Sequence, residues 1–129
     1  MLSNFVQTAD WKSEKHVPLV ECPDEVAAGE AFEVSISVGK DEPHPNTTAH
    51  FIAWIALHYV PEGSKTSIEL ARCEFSAHGS SGAGADTGPA HTQSCVKVAL
   101  KLAKSGTLYA TEYCNIHGLW ASEKAIAVK

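Results

Sequence analysis

The chain has 129 residues and a mass of 13.8 kDa, with 44% hydrophobic and 19% charged residues. That composition supports one folded domain over residues 1–129 with a real core, and excludes a disordered chain. Ten basic against fifteen acidic residues leave a net charge of −5, which speaks against nucleic acid and against anionic membrane surfaces as partners, since both need a basic stripe. No apolar run is long enough for a membrane helix. The opening MLSNFVQTADWKSEK lacks the apolar core of a secretory signal, so a cytoplasmic protein is expected.

In chain order, Val17–Cys22 is a short apolar run stopped by Pro23-Asp24. In Glu30–Val38, Phe32, Val34, Ile36 and Val38 alternate with Glu33, Ser35 and Ser37, the pattern of a half-buried strand. Gly39–Thr48 reads as a loop. His50–Val60, rich in aromatic and β-branched residues, reads as a central strand. Pro61-Glu62-Gly63-Ser64 is a turn, and Thr66–Phe75 alternates weakly. Ala77–Gln93 holds Gly79, Gly82, Gly84 and Gly88; it lacks a Gly-Lys-Ser/Thr ending and reads as a flexible surface loop rather than a phosphate cradle. Ser94–Ala103 and Thr107–Cys114 are strands around the turn Lys104-Ser105-Gly106, and Glu123–Lys129 is a last short one. About seven strands at this spacing predict an all-β fold, an antiparallel β-sandwich of immunoglobulin-like type.

Four cysteines and seven histidines are the chemically conspicuous residues. Cys22, Cys73, Cys95 and Cys114 form no Cys-x-x-Cys pair, and in a reducing compartment they are expected as free thiols. If successive strands alternate in direction, the sandwich has two ends. The start of Val17–Cys22, the 39–48 loop, the start of His50–Val60, the glycine-rich loop and the end of Thr107–Cys114 all fall at one of them. His16, His44, His50, Cys114 and His117 then gather at that end, with His78 and His91 in the loop nearby, and His58 goes toward the other end. Imidazole nitrogens with a thiolate suit iron, copper, nickel or zinc. Five protein ligands exceed the four of structural zinc and favour a redox metal. Trp11, Trp54 and Trp120 are read as structural, with Trp54 in the core on the face of His50 and Ile52.

The segments Glu14-Lys15-His16-Val17-Pro18, His44-Pro45-Asn46, His50-Phe51-Ile52-Ala53-Trp54-Ile55 and Cys114-Asn115-Ile116-His117-Gly118-Leu119-Trp120 resemble the superoxide reductase family in its one-iron, neelaredoxin-type form. The resemblance implies an immunoglobulin-like sandwich with one iron (Fe2+/Fe3+) per chain. It implies four equatorial histidines, His16, His44, His50 and His117, and an axial thiolate, Cys114. Glu14 matches a glutamate that can take the sixth position in the ferric state, and Lys15 a lysine beside the open site. The implied reaction reduces superoxide to hydrogen peroxide with an electron from a small redox protein such as rubredoxin, in a homo-oligomer (tetramer or dimer). His78 and His91 inherit no ligand role. From the residues alone, a cupredoxin-like copper electron carrier and a non-catalytic immunoglobulin-like binding module are the alternatives. The only methionine, Met1, does not follow the histidine where a copper carrier places its axial ligand.

Overall fold

The alternation in Phe32–Val38 becomes the central strand of a three-stranded sheet in the computed structural model, which describes residues 1–129. Eight strands form: β1 (Pro18–Glu21), β2 (Glu25–Val26), β3 (Phe32–Val38), β4 (Ile52–Pro61), β5 (Ile68–Glu74), β6 (Cys95–Leu100), β7 (Gly106–Cys114) and β8 (Gly118–Val128). One sheet has the order β1-β3-β6 and the other β2-β8-β7-β4-β5. Every pairing is antiparallel except the two-residue β2 beside β8. The chain is therefore the all-β sandwich expected, with one strand more than the turn signals indicate. No helix is long and apolar enough to cross a membrane.

The inner faces follow directly from the alternating residues. Val34, Ile36 and Val38 of β3 face Ile55, Leu57 and Tyr59 of β4 and Leu108 and Ala110 of β7, with Ile126 of β8 closing one flank of the core. Truncating a fully buried member such as Leu108 to alanine costs about 2–5 kcal/mol, because the cavity left behind does not collapse.

Two expectations change. A bulge between Ile52 and Trp54 breaks the pairing of β4 with β7. One extra residue moves every later side chain to the opposite face, so Trp54 leaves the core. It stacks instead on Tyr113 at 6.2 Å, with the Arg72 guanidinium 4.4 Å above its ring. The last strand begins at Gly118, not Glu123. Its first half pairs with the end of β7, while its other side takes the N-terminal arm, where Gln7 exchanges backbone hydrogen bonds with Leu119 and Ala121. None of Gly118–Ser122 is exposed, so this half has no solvent face and the alternation that announces a strand is lost.

Candidate metal centre

Strand directions carry the predicted residues to one end of the sandwich. The start of β4 lies against the end of β7, with Ile52 opposite Cys114. Cys114 and Gly118 face each other across the β7–β8 hairpin, so Asn115, Ile116 and His117 form a three-residue turn. Gly118 closes it with φ +82°, a left-handed conformation that glycine adopts without strain. This tight turn makes Cys-x-x-His a chelating pair: the His117 N–H points at Cys114 Sγ, 3.4 Å away, and His117 Nδ1 is 3.8 Å from the same sulfur.

His44 and His50 come from the loop between β3 and β4. The loop folds back tightly enough that a Cβ on Gly39 would stand 2.6 Å from the His44 nitrogen. Thr47 and His50 close a local turn, with the Thr47 N–H donating to His50 O and the His50 N–H to Thr47 Oγ1. His50 therefore lies in a turn just before β4 rather than opening it. His16 arrives on the arm that precedes β1.

The four rings stand at the corners of a near-square. Adjacent centroids are 4.8 Å (His16–His44), 4.7 Å (His44–His50), 4.9 Å (His50–His117) and 4.7 Å (His117–His16), and the His16–His50 diagonal is 6.4 Å. Donor atoms of His16, His50, Cys114 and His117 all lie within 4.8 Å of one another. His44 Nε2 joins them at 3.5 Å from Cys114 Sγ. All five predicted residues are thus brought together, and the sulfur is wholly buried.

Two of the four rings, His16 and His44, are aimed from behind. His16 Nδ1 is 2.6 Å from Glu14 Oε1, which also accepts the His16 N–H, so its Nε2 faces the centre, 3.1 Å from His117 Nδ1. His44 Nδ1 donates to Pro45 O at 2.6 Å, leaving its Nε2 inward. His50 Nε2 is 3.2 Å from His117 Nδ1. The inward set is three Nε2 atoms, one Nδ1 and one Sγ. An outer hydrogen bond that fixes the tautomer and the plane of an imidazole is how proteins prepare it as a metal ligand.

Burial and neighbouring charge keep His44 and His50 neutral. Burial lowers the His44 pKa to about 4, opposed by the Pro45 carbonyl and reinforced by His16, His50 and Lys15. Burial also lowers that of His50, with His117, His16 and Lys15 adding to it. Burial works against the Glu14 carboxylate, yet its bonds to His16, with His16 and Lys15 nearby, hold its pKa below the usual value. Lys15 is half-buried beside this group and makes no ion pair of its own. Glu14 stands on the outer nitrogen of His16 here.

Three contributors escape a reading of the sequence. Trp120, read as structural, stacks on His16 at 4.9 Å and 14° and donates from its indole nitrogen to His117 O. Asn115 ties the hairpin turn to the His50 segment: its Oδ1 accepts the Phe51 N–H, its Nδ2 donates to Ala49 O, and its N–H donates to Phe51 O. Glu112 lies inward on β7 two residues before Cys114, with both carboxyl oxygens unpartnered. Its signal was present in the alternation Leu108, Ala110, Glu112, Cys114, an acid on an apolar face. The other two depend on contacts between segments distant in sequence.

A donor set of four imidazoles and one thiolate fits a transition metal and not calcium or magnesium. The desulfoferrodoxin family model matches residues 8–123. The chain is 50% identical over 128 residues to the neelaredoxin of Megalodesulfovibrio gigas, covering 99% of this chain and 98% of that protein. It is 46% identical over 123 residues to the superoxide reductase of Pyrococcus furiosus, covering 95% and 97% respectively. The structure of superoxide reductase (neelaredoxin) from Archaeoglobus fulgidus in its reduced form superposes with a TM-score of 0.88 at 51% identity, over 95% of this chain and 98% of that one. The match of sequence, fold and clustered ligand residues over nearly the full length places this chain in the desulfoferrodoxin family.

Proposed function

We propose that the chain reduces superoxide to hydrogen peroxide at one iron, held by His16, His44, His50, His117 and Cys114. The observation that carries this reading is the near-square of four imidazoles with a buried thiolate beside it. Four nitrogens and one sulfur would hold the iron and would leave room on it for a small anion. The iron would supply the single electron and the Lewis acidity, with the thiolate setting how readily that electron is given up. The balance is one superoxide, one electron and two protons to one hydrogen peroxide.

The chain's own residues account for substrate delivery. Superoxide is an anion and the protein carries a net charge of −5, so attraction has to be local. The Lys15 ammonium is close enough to depress the pKa values of His44 and His50. A positive charge so placed raises association rates by about 10–10³. Lys15 also holds water that delivers a proton. The resemblance gives Glu14 the sixth position of the oxidised site; to take it, Glu14 must release His16 Nδ1. His117 is the exposed ring, beside Ile116 at 59% exposure, and this edge is our proposed entry for an electron from a small redox protein such as rubredoxin. Cys22, Cys73 and Cys95 are unpaired, and a reducing, cytoplasmic setting is the one we propose. A dimer or tetramer remains our expectation from the resemblance.

The copper-carrier alternative is not favoured: Met1, the only methionine, is 93% exposed. The deciding experiment is metal content per chain followed by peroxide yield with a reduced donor. One iron and one peroxide per superoxide support the reading. One half peroxide per superoxide means dismutation, and one copper per chain revives the electron carrier.

A further inference from the structure

The glycine-rich loop between β5 and β6, expected to be a flexible surface segment, grips the loop that carries His44 and His50. At its root lies His78, buried to 7% exposure although no charged group pairs with it. Its Nε2 is 2.7 Å from Phe75 O and its Nδ1 is 2.8 Å from Asn46 Oδ1. Asn46 cannot turn its amide away, since its Nδ2 donates to Thr92 O at the other end of the same loop. The His78 ring lies flat on Phe51, at 3.9 Å between centroids and 12° between planes. Further along, Asp86 Oδ1 accepts the Thr48 N–H at 2.7 Å.

These contacts fall on residues 46 and 48, between His44 and His50, and on residue 51, directly after His50. Phe51 is held on its ring face by His78 and along its backbone by Asn115, the neighbour of Cys114. We infer that His78 is a positioning residue of the metal centre, setting the separation of His44 and His50 through Asn46 and Phe51. It touches none of the five proposed ligands. It acts through Asn46, two residues after His44, and Phe51, next to His50. A ligand set is held only as well as the groups behind it, and losing one such support costs about 10–100-fold in metal affinity. The inference rests on the reading of the five residues as a metal site, and the test separates the two.

The test uses His78→Phe, which keeps an aromatic ring over Phe51 and removes both hydrogen bonds. Asn46→Ala removes the same bond from the partner side and serves if the first variant does not fold. Tyr59→Phe is the control for lost stability, since Tyr59 donates to Lys104 O away from this end of the sandwich. With ferrous iron loaded, release to a chelator should be about 10–100-fold faster in H78F and N46A and unchanged in Y59F. The thiolate-to-iron absorption band of the oxidised protein should shift in the first two only. The double variant should accelerate iron release by less than the product of the two single effects, because both changes break the His78–Asn46 bond. Release and band at wild-type values in H78F or N46A overturn the inference, as does acceleration in Y59F in proportion to stability lost. If the wild-type chain takes up no iron, the metal reading fails. Hydrogen exchange of the metal-free protein then still tests the positioning. Amides of Thr47, Thr48 and Phe51 should exchange at least about tenfold faster in H78F, with those of the β7–β8 ladder unchanged; equal protection of the 47–51 amides refutes it.

Discussion

Glu112 and Cys114 share the inward face of β7, one pleat apart, and both are fully buried. Burial raises the Glu112 pKa to about 9, with the Cys114 N–H opposing the shift without completing a hydrogen bond and Glu14 adding to it. A neutral carboxyl at this place keeps a second negative charge away from the proposed thiolate ligand.

The cost of that arrangement depends on pH. The folded pKa is above the unfolded one, so stability is fully present below about pH 4.5 and is lost as pH rises through about 9. At pH 7 the loss is on the order of 3 kcal/mol, from about 1.4 kcal/mol per pH unit. Glu112→Gln, measured by urea unfolding of the metal-free protein, should be more stabilising at pH 8 than at pH 5. An equal effect at both pH values would show that the carboxyl ionises freely in the fold.

His44 gives the opposite slope. Its folded pKa of about 4 lies below the ordinary 6.5, so the unfolded chain binds the extra proton between these values. Its contribution is present above about pH 6.5 and lost as pH falls through about 4. Metal-free His44→Gln should lose less stability than wild type between pH 6.5 and 4. In the loaded protein protons compete with metal over the same range, so metal release should accelerate on acidification, read by a chelator assay. A wild-type slope in the variant would mean that His44 is not held neutral by the fold.

Lys15→Ala should slow the reaction with superoxide by about tenfold at low salt, the lower part of the range for electrostatic steering, and flatten its dependence on ionic strength. Pulse radiolysis across a salt series measures both, and an unchanged rate sinks the steering role.

Glu14→Ala should leave the rate with superoxide largely intact, since the side chain is engaged by His16. It should weaken metal retention by about 10–100-fold through lost orientation of that ring. Wild-type retention, measured by equilibrium competition with a chelator, would assign the orientation of His16 to Trp120 alone.

Asn115→Ala removes two side-chain hydrogen bonds that join the hairpin turn to residues 49 and 51. Each contributes about 0.5–1.5 kcal/mol, so a loss of about 1–3 kcal/mol is expected in denaturant unfolding. Loss of metal below the unfolding transition should accompany it. Full stability with full metal retention would remove Asn115 from the clamp.

Local pattern determined much of this protein. Period-two alternation identified β3 and β6 to within about three residues, because a strand with one polar face must write that face into its sequence. Antiparallel succession then carried His16, His44, His50, Cys114 and His117 to one end, since direction needs only the order of strands. What escaped depended on contacts between distant segments. Trp54 left the core because a bulge shifted its pleat, and β8 hid its first half because neither face of Gly118–Ser122 is exposed. Trp120, Asn115 and His78 took their places beside the site only when the arm, the hairpin turn and the glycine-rich loop packed on one another. Burial of His44 and Glu112, and with it their shifted ionisation, arises from neighbours that no local window of sequence contains.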